Sequence, residues 1–204
     1  RGFMGDVARN FYPKEKIFQI LDYMALYKLN RFDLKLTDDD GWRIEIPGLP
    51  ELTEVGSNRG YTTDENDRLI PMYGSGSGDQ KSTGSGFLSG QDFVEILNYA
   101  KKRNIEVIPQ ISFPSHARAA IIAMKSRYEK YKKEGNLAAA TEYMLHDPED
   151  ESQYLSAQLY NDNVVCICDP SAYRFYEKVI LEIKALYDQA EIPMKVFNIG
   201  ADEL

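Results

Sequence analysis

Two carboxylates stand side by side at the far end of this sequence. Residues 195–204 read as a short apolar run, then small residues, then Asp202-Glu203. Such a run reads as a strand, and the tips of strands are where β/α proteins place their chemistry. Adjacent carboxyls in a partly dry pocket resist ionising together, so the pair predicts that one pKa rises and a proton donor exists at neutral pH. Other strand-like runs also end in polar residues: Asp6 and Arg9, then Asp38-Asp39-Asp40, then Ser112 and His116.

Alternating strand and helix patterns would carry these residues. Strands are expected over 1–8, 31–37, 105–112 and 195–201. Helices are expected after Pro13, over 91–103, after His116 and over 169–189. The first has its apolar stripe at Ile17, Ile20, Leu21 and Met24, the second at Phe93, Ile96, Leu97 and Ala100, and the last at Phe175, Val179, Ile183 and Leu186. Asp169-Pro170 supplies an N-cap and a first-turn proline. This order implies parallel strands with right-handed crossovers, in either an open doubly wound sheet or part of a (β/α) barrel. No Gly-rich phosphate turn follows the first strand, so dinucleotide binding has no support. Four β/α units make half of a barrel, and the chain reads as a fragment with open strand edges. The long connection after Trp42 holds a Gly/Ser-rich loop at about 57–89, whose middle, 74–78 and 82–86, is expected to be mobile. Trp42 is expected to pack beneath it. The tyrosines between Tyr128 and Tyr160 read as the surface of an amphipathic helix.

The 204 residues allow one sizeable core. The formal charge of −8, from 24 basic and 32 acidic residues, argues against nucleic acid or an anionic membrane as partner. No run of about 18 apolar residues could cross a bilayer, and the first residues do not resemble a secretion signal. Cys166 and Cys168 are two apart, poor geometry for a disulfide, and read as small buried hydrophobes. With only His116 and His146 in the chain, no histidine-rich metal site is expected. Asp38-Asp39-Asp40-Gly41 lacks the ligand pattern of a calcium loop; Asp39 and Asp40 are expected to cap and solvate the turn.

Neighbouring Cα atoms lie about 3.8 Å apart. Asp202 and Glu203 therefore share one strand end and are poorly placed to flank one scissile bond from two faces. For such chemistry a nucleophile would come from residues outside this stretch or from the substrate.

Several ordered motifs decide what geometry leaves open. The runs Arg1-Gly2-Phe3-Met4-Gly5-Asp6-Val7-Ala8-Arg9-Asn10-Phe11, Leu36-Thr37-Asp38-Asp39-Asp40-Gly41-Trp42-Arg43, Pro50-Glu51-Leu52-Thr53-Glu54-Val55-Gly56, Pro109 to His116, and Ile199-Gly200-Ala201-Asp202-Glu203 follow one another at family spacing. Together they resemble the catalytic domain of glycoside hydrolase family 20, the β-N-acetylhexosaminidases, over the whole chain. The resemblance implies a TIM-type parallel (β/α) barrel, of which residues 1–204 are the first four units. It implies an exo-acting, retaining enzyme that needs no cofactor or metal and takes glycans ending in β-linked GlcNAc or GalNAc. The substrate's own acetamido oxygen would attack the anomeric carbon. Glu203 would be the general acid and then base, and Asp202 would hold the acetamido group. Arg1 would bind hydroxyls of the terminal sugar, and Asp38 and His116 would form a buried pair beside Glu203. An extracytoplasmic location would fit.

The chain departs from the family pattern at Asp33, Lys35, Gln110, Ser112, Ser115, Asn198 and Ala201. The first two stand where histidines are usual, and Lys35 is expected to change charge and space near the sugar. The acid/base set is kept. Two other readings remain: a sugar-binding homologue with little turnover, and a non-enzymatic half-barrel that self-associates through its edges.

Overall fold

The computed structural model describes residues 1–76 and 82–203. Three strands form a parallel sheet in the order β1 (Gly2–Asp6), β2 (Arg31–Lys35), β5 (Glu106–Gln110). The register runs from Gly2 opposite Arg31 to Asp6 opposite Lys35, and from Arg31 opposite Glu106 to Lys35 opposite Gln110. The carboxyl ends of all three therefore finish level. Strand order follows chain order with no reversal, so right-handed crossovers place every covering helix on the same face. That is barrel topology; a doubly wound sheet would reverse its order and carry helices on both faces.

The covering helices are α1 (Lys14–Leu26), α3 (Gly90–Lys101) and α6 (Pro170–Gln189). Ile17, Leu21 and Met24 of α1, Phe93, Ile96, Leu97 and Ala100 of α3, and Phe175, Val179 and Ile183 of α6 are buried; Ile20 and Leu186 pack at the margin. Alternation along β2 sends Phe32 and Leu34 into this core and Asp33 and Lys35 to the other face. Asp169 caps α6, its side chain accepting from Ser171 N at 2.8 Å. Ser89 and Asp92 form a capping box on α3. Among the described residues no helix is long and apolar enough to cross a membrane.

Some elements differ from the sequence pattern. The second strand breaks after Lys35, and a small antiparallel pair follows: β3 (Thr37–Asp38) with β4 (Gly41–Trp42). A short helix, α2 (Glu51–Glu54), comes next. Beyond β5 lie α4 (Arg118–Lys133) and α5 (Leu137–Thr141). The expected fourth strand is reduced to one parallel bridge, Asn198 beside Gln110, with Asn198 N donating to Pro109 O and Asn198 O accepting from Ile111 N, each at 3.0 Å. Among the described residues it pairs on one side only, and Val196 and Ile199 are exposed. Of the tyrosines from 128 to 160, Tyr128 and Tyr160 are buried, Tyr131 and Tyr143 are half-buried and Tyr154 is exposed, whereas Cys168 is exposed and Cys166 partly so.

The long connection is not free. Arg43 is fully buried, and its guanidinium donates to the carbonyls of Ala8, Asp40, Ser57, Gly84 and Gly86 at 2.8–3.2 Å. Arg59 donates to Arg9 O, Tyr73 O and Asp40 Oδ1. Two buried cations thus staple residues 57–76 and 82–89 to the strand ends, because carbonyls removed from water need donors. A Cβ on Gly41 would come within 2.3 Å of the Arg43 guanidinium, so the glycine makes room for the staple. The centre of the Gly/Ser stretch, 77–81, lies outside the described residues. Trp42 packs as expected, edge-on to Phe175, with its indole N–H on Ile44 O at 2.6 Å.

Candidate active site

At the carboxyl ends of the strands a histidine bridges two acids. His116 sits just before α4 and is 2% exposed. Its Nδ1 lies 3.0 Å from Asp39 Oδ2, and its Nε2 lies 3.1 Å from Glu203 Oε2. Asp39 is also buried. It accepts from Asn163 Nδ2 at 2.9 Å on the oxygen that faces His116, and from Arg118 N at 3.0 Å on the other. Burial pushes the Asp39 pKa up, against these donors. His116 and Glu203 both have left-handed backbone, with φ of 52° each. Non-glycine residues pay for that conformation and keep it where the surroundings enforce it.

The expected partner of His116 was Asp38; the hydrogen bond is made by Asp39. Asp38 Oδ1 stays 3.7 Å from the ring nitrogen. Its other oxygen is taken by the Lys35 ammonium and by Arg9 Nε at 3.2 Å. Lys35, one of the departures from the family pattern, thus holds Asp38 while its neighbour turns to the ring. The charge that Lys35 brings is matched within the wall. Asp39 is no solvated cap, and Asp40 is spent on Arg59 at 3.0 Å.

Glu203 departs from the sequence argument in its proton affinity. Its side chain is 64% exposed. Its pKa is lowered, first by the hydrogen bond from Gln158 Nε2 at 2.8 Å, then by His116, with Arg9 adding to the effect. In this open setting desolvation is small and donors decide the direction. Asp202 is exposed too, and its carbonyl accepts from the buried Ser115 hydroxyl at 2.5 Å.

The backbone of Arg1 starts at the far end of β1 from this cluster. Its amino group and carbonyl bond to Asn30 and Arg31 at the amino end of the sheet, about 16 Å of extended chain below the tip of β1. Arg9 is the arginine at the rim. Asp6 Oδ1 accepts from Ala8 N and Arg9 N, both at 2.9 Å, and that turn ends β1 and swings Arg9 over Asp38. Sequence reasoning missed the roles of Arg9, Asp39, Gln158 and Asn163. Arg9 had a signal, since it follows the strand tip; Gln158 and Asn163 lie in a polar segment with no motif.

Other departures from the family pattern find partners within the strand ends. Asn198 Nδ2 donates to Asp33 Oδ2 at 2.8 Å, joining the second and fourth strand positions, as alternate strands do inside a barrel. Ser112 bonds to Thr37 through both N and Oγ. Asp38, Asp39 and His116 place three donor atoms within 4.8 Å of one another, a spacing that could hold a cation. Lys35, Arg9, Asn163 and Arg118 already occupy the carboxylates.

Parallel strands, helices on one face and an acid–histidine–acid chain at the carboxyl rim describe part of a glycosidase-type TIM barrel. All of residues 1–204 match the model of the glycosyl hydrolase family 20 catalytic domain, and the chain belongs to that family. It is 51% identical over 204 residues to an N,N'-diacetylchitobiase of Vibrio harveyi and 46% identical over 203 residues to a β-hexosaminidase of Vibrio vulnificus. Each match covers 100% of this chain but only 23% and 24% of those relatives, so the chain spans about a quarter of their length. Its fold overlays an exo-β-N-acetylglucosaminidase of Vibrio harveyi, solved with N-acetylglucosamine, with a TM-score of 0.80 and 37% identity. That overlay covers 100% of this chain and 27% of the other. A mutant Streptomyces plicatus β-hexosaminidase in complex with GlcNAc aligns with a TM-score of 0.65 and 27% identity, over 98% of this chain and 32% of its own.

Proposed function

We propose that the complete protein containing this chain removes terminal β-linked N-acetylhexosamine from glycans with retention of configuration. The observation that carries the reading is the hydrogen-bonded chain Asp39–His116–Glu203 at the strand ends, with Asp202 next in sequence. In the first step Glu203 gives its proton to the glycosidic oxygen. The bond from that oxygen to the anomeric carbon breaks as the substrate's acetamido oxygen closes on the same carbon. Asp202 holds the acetamido N–H and balances the positive charge of the cyclic intermediate. In the second step Glu203, now a carboxylate, takes a proton from water; the water oxygen attacks the anomeric carbon and the ring reopens. Two inversions give net retention. The His116 ring, fixed from behind by buried Asp39, answers the change of charge on Glu203.

The lowered proton affinity of Glu203 fits this scheme once substrate is considered. A sugar seated over the rim, with further barrel wall around it, strips water from the carboxyl, and desolvation favours the protonated form. Arg9 and Asp38 form a charged pair at the same rim, suited to hydroxyls of the sugar; in this proposal Arg9 takes the role first expected of Arg1. An extracytoplasmic location belongs to the same proposal on the family resemblance alone.

The test is a thiazoline analogue of the cyclic intermediate, offered to the full-length protein. Tight binding that Asp202→Asn weakens by about 10²-fold or more supports the scheme. A wild type that hydrolyses neither aryl β-GlcNAc nor aryl β-GalNAc contradicts it. The ionised, solvent-facing Glu203 favours one rival, a sugar-binding homologue without turnover, which would bind N-acetylhexosamine and cleave nothing.

A further inference from the structure

We propose that Gln158 is a positioning residue for the acid/base carboxylate: a rigid turn presents its amide so that one oxygen of Glu203 is clamped and the other is left to carry the proton. The inference rests on the reading of Glu203 as the acid/base. Gln158 Nε2 and His116 Nε2 both bond to Oε2, at 2.8 and 3.1 Å. The Glu203 side chain is otherwise open to solvent, and the two contacts on one oxygen fix its direction.

The turn that carries Gln158 is tied to itself. Asp162 N donates to Tyr154 O and Tyr154 N to Asp162 Oδ1, while Ser156 N donates to Tyr160 O and Tyr160 N to Ser156 Oγ, at 2.9–3.1 Å. Tyr160 anchors it by burial. Leu159, beside Gln158, has φ of 67°, and Asp162 has φ of 45°. Strained non-glycine backbone held by its surroundings points to a geometric demand on this turn. The same stretch grips the other end of the relay, since Asn163 donates to Asp39 at 2.9 Å. Five residues apart, Gln158 and Asn163 hold both acids that His116 joins, so one segment sets the length and direction of the whole chain.

The groups facing Glu203 are Gln158, His116 with Asp39 behind it, and Arg9, with Asp202 adjacent in sequence. An amide N–H stabilises the carboxylate over the acid. Removing it raises the pKa of Glu203, and the alkaline limb of kcat, where the acid loses its proton, moves to higher pH. A carboxylate in the same place moves the limb further, because like charge also disfavours ionisation.

The experiment compares wild type, Gln158→Leu, Gln158→Glu and Glu203→Gln in the full-length protein, with an aryl β-GlcNAc substrate across pH. For Gln158→Leu the expected result is a kcat about tenfold lower, a KM within about twofold and an alkaline limb displaced upward, with a larger displacement for the isosteric Gln158→Glu. If Glu203→Gln is inactive while both Gln158 variants follow wild type at every pH, the Gln158 proposal is overturned and the acid/base reading stands. If Glu203→Gln keeps wild-type turnover, the acid/base reading falls and takes the Gln158 proposal with it.

Discussion

The two ends of the acid–histidine–acid chain are built differently. Asp39 lies beneath α4, buried, with hydrogen bonds from a ring, an amide and a backbone N–H. Glu203 stands at the end of a segment joined to the sheet by one bridge, with most of its surface in water. The buried end is assembled by the fold itself, because an unpaired carboxylate there would be costly. The exposed end is held by two hydrogen bonds and takes its working environment from what closes over it. Stability and catalysis should therefore separate along the relay.

That separation can be broken or sharpened in order of expected effect. Asp39→Ala leaves three donors without an acceptor in a dry site and should cost about 3–5 kcal/mol in denaturant unfolding, along with most of kcat. Glu203→Gln should leave the unfolding midpoint near wild type; a large drop there would erase the contrast between the two ends. Arg43→Met should cost about 3 kcal/mol or more, because five carbonyls lose their donors. It should also open residues 57–76 and 82–89 to limited proteolysis, and a protease-resistant variant would show that the staple is dispensable. Arg9→Met should raise KM about tenfold with little loss of fold, whereas Arg1→Met should stay within about twofold. The reverse order would restore Arg1 as the sugar contact. Ser115→Ala removes one hydrogen bond that seats the Asp202 carbonyl. It should cost about 1 kcal/mol and a few-fold in kcat, read by thermal unfolding and by turnover.

Much of the frame was legible in the residues themselves. The apolar stripes of α1, α3 and α6 fall where their spacing put them, and Asp169-Pro170 begins α6 as its chemistry dictates. The pair β3 and β4 was not legible, since two-residue strands have no period to read. Residues 195–201 have a strand's pattern but lack a neighbour on one side among the described residues, and pattern cannot supply a partner. The motif around Asp38 named Asp38 as the partner of His116 and Asp39 as a solvated cap, whereas the ring's hydrogen bond goes to buried Asp39. Successive residues in a turn point in different directions, and only the folded position of Lys35 shows which oxygen is already engaged. Arg1 and Arg9 were separable by a rule already in hand: the first lies at the amino end of β1 and the second past its carboxyl end, where barrel sites form. Gln158 had no signal, because its partner lies 45 residues away in sequence and meets it only through the turn at 154–162.

The most direct test of the central claim is the leaving-group dependence of Glu203→Gln in the full-length protein. A dinitrophenyl β-GlcNAc, whose leaving group needs no proton, is compared with a substrate whose alcohol leaves only when protonated. The variant should keep formation of the cyclic intermediate from the first within about tenfold of wild type and lose about 10²–10⁴-fold on the second. Equal losses on both substrates, or none on either, would contradict the assignment of Glu203 as the residue that protonates the departing sugar.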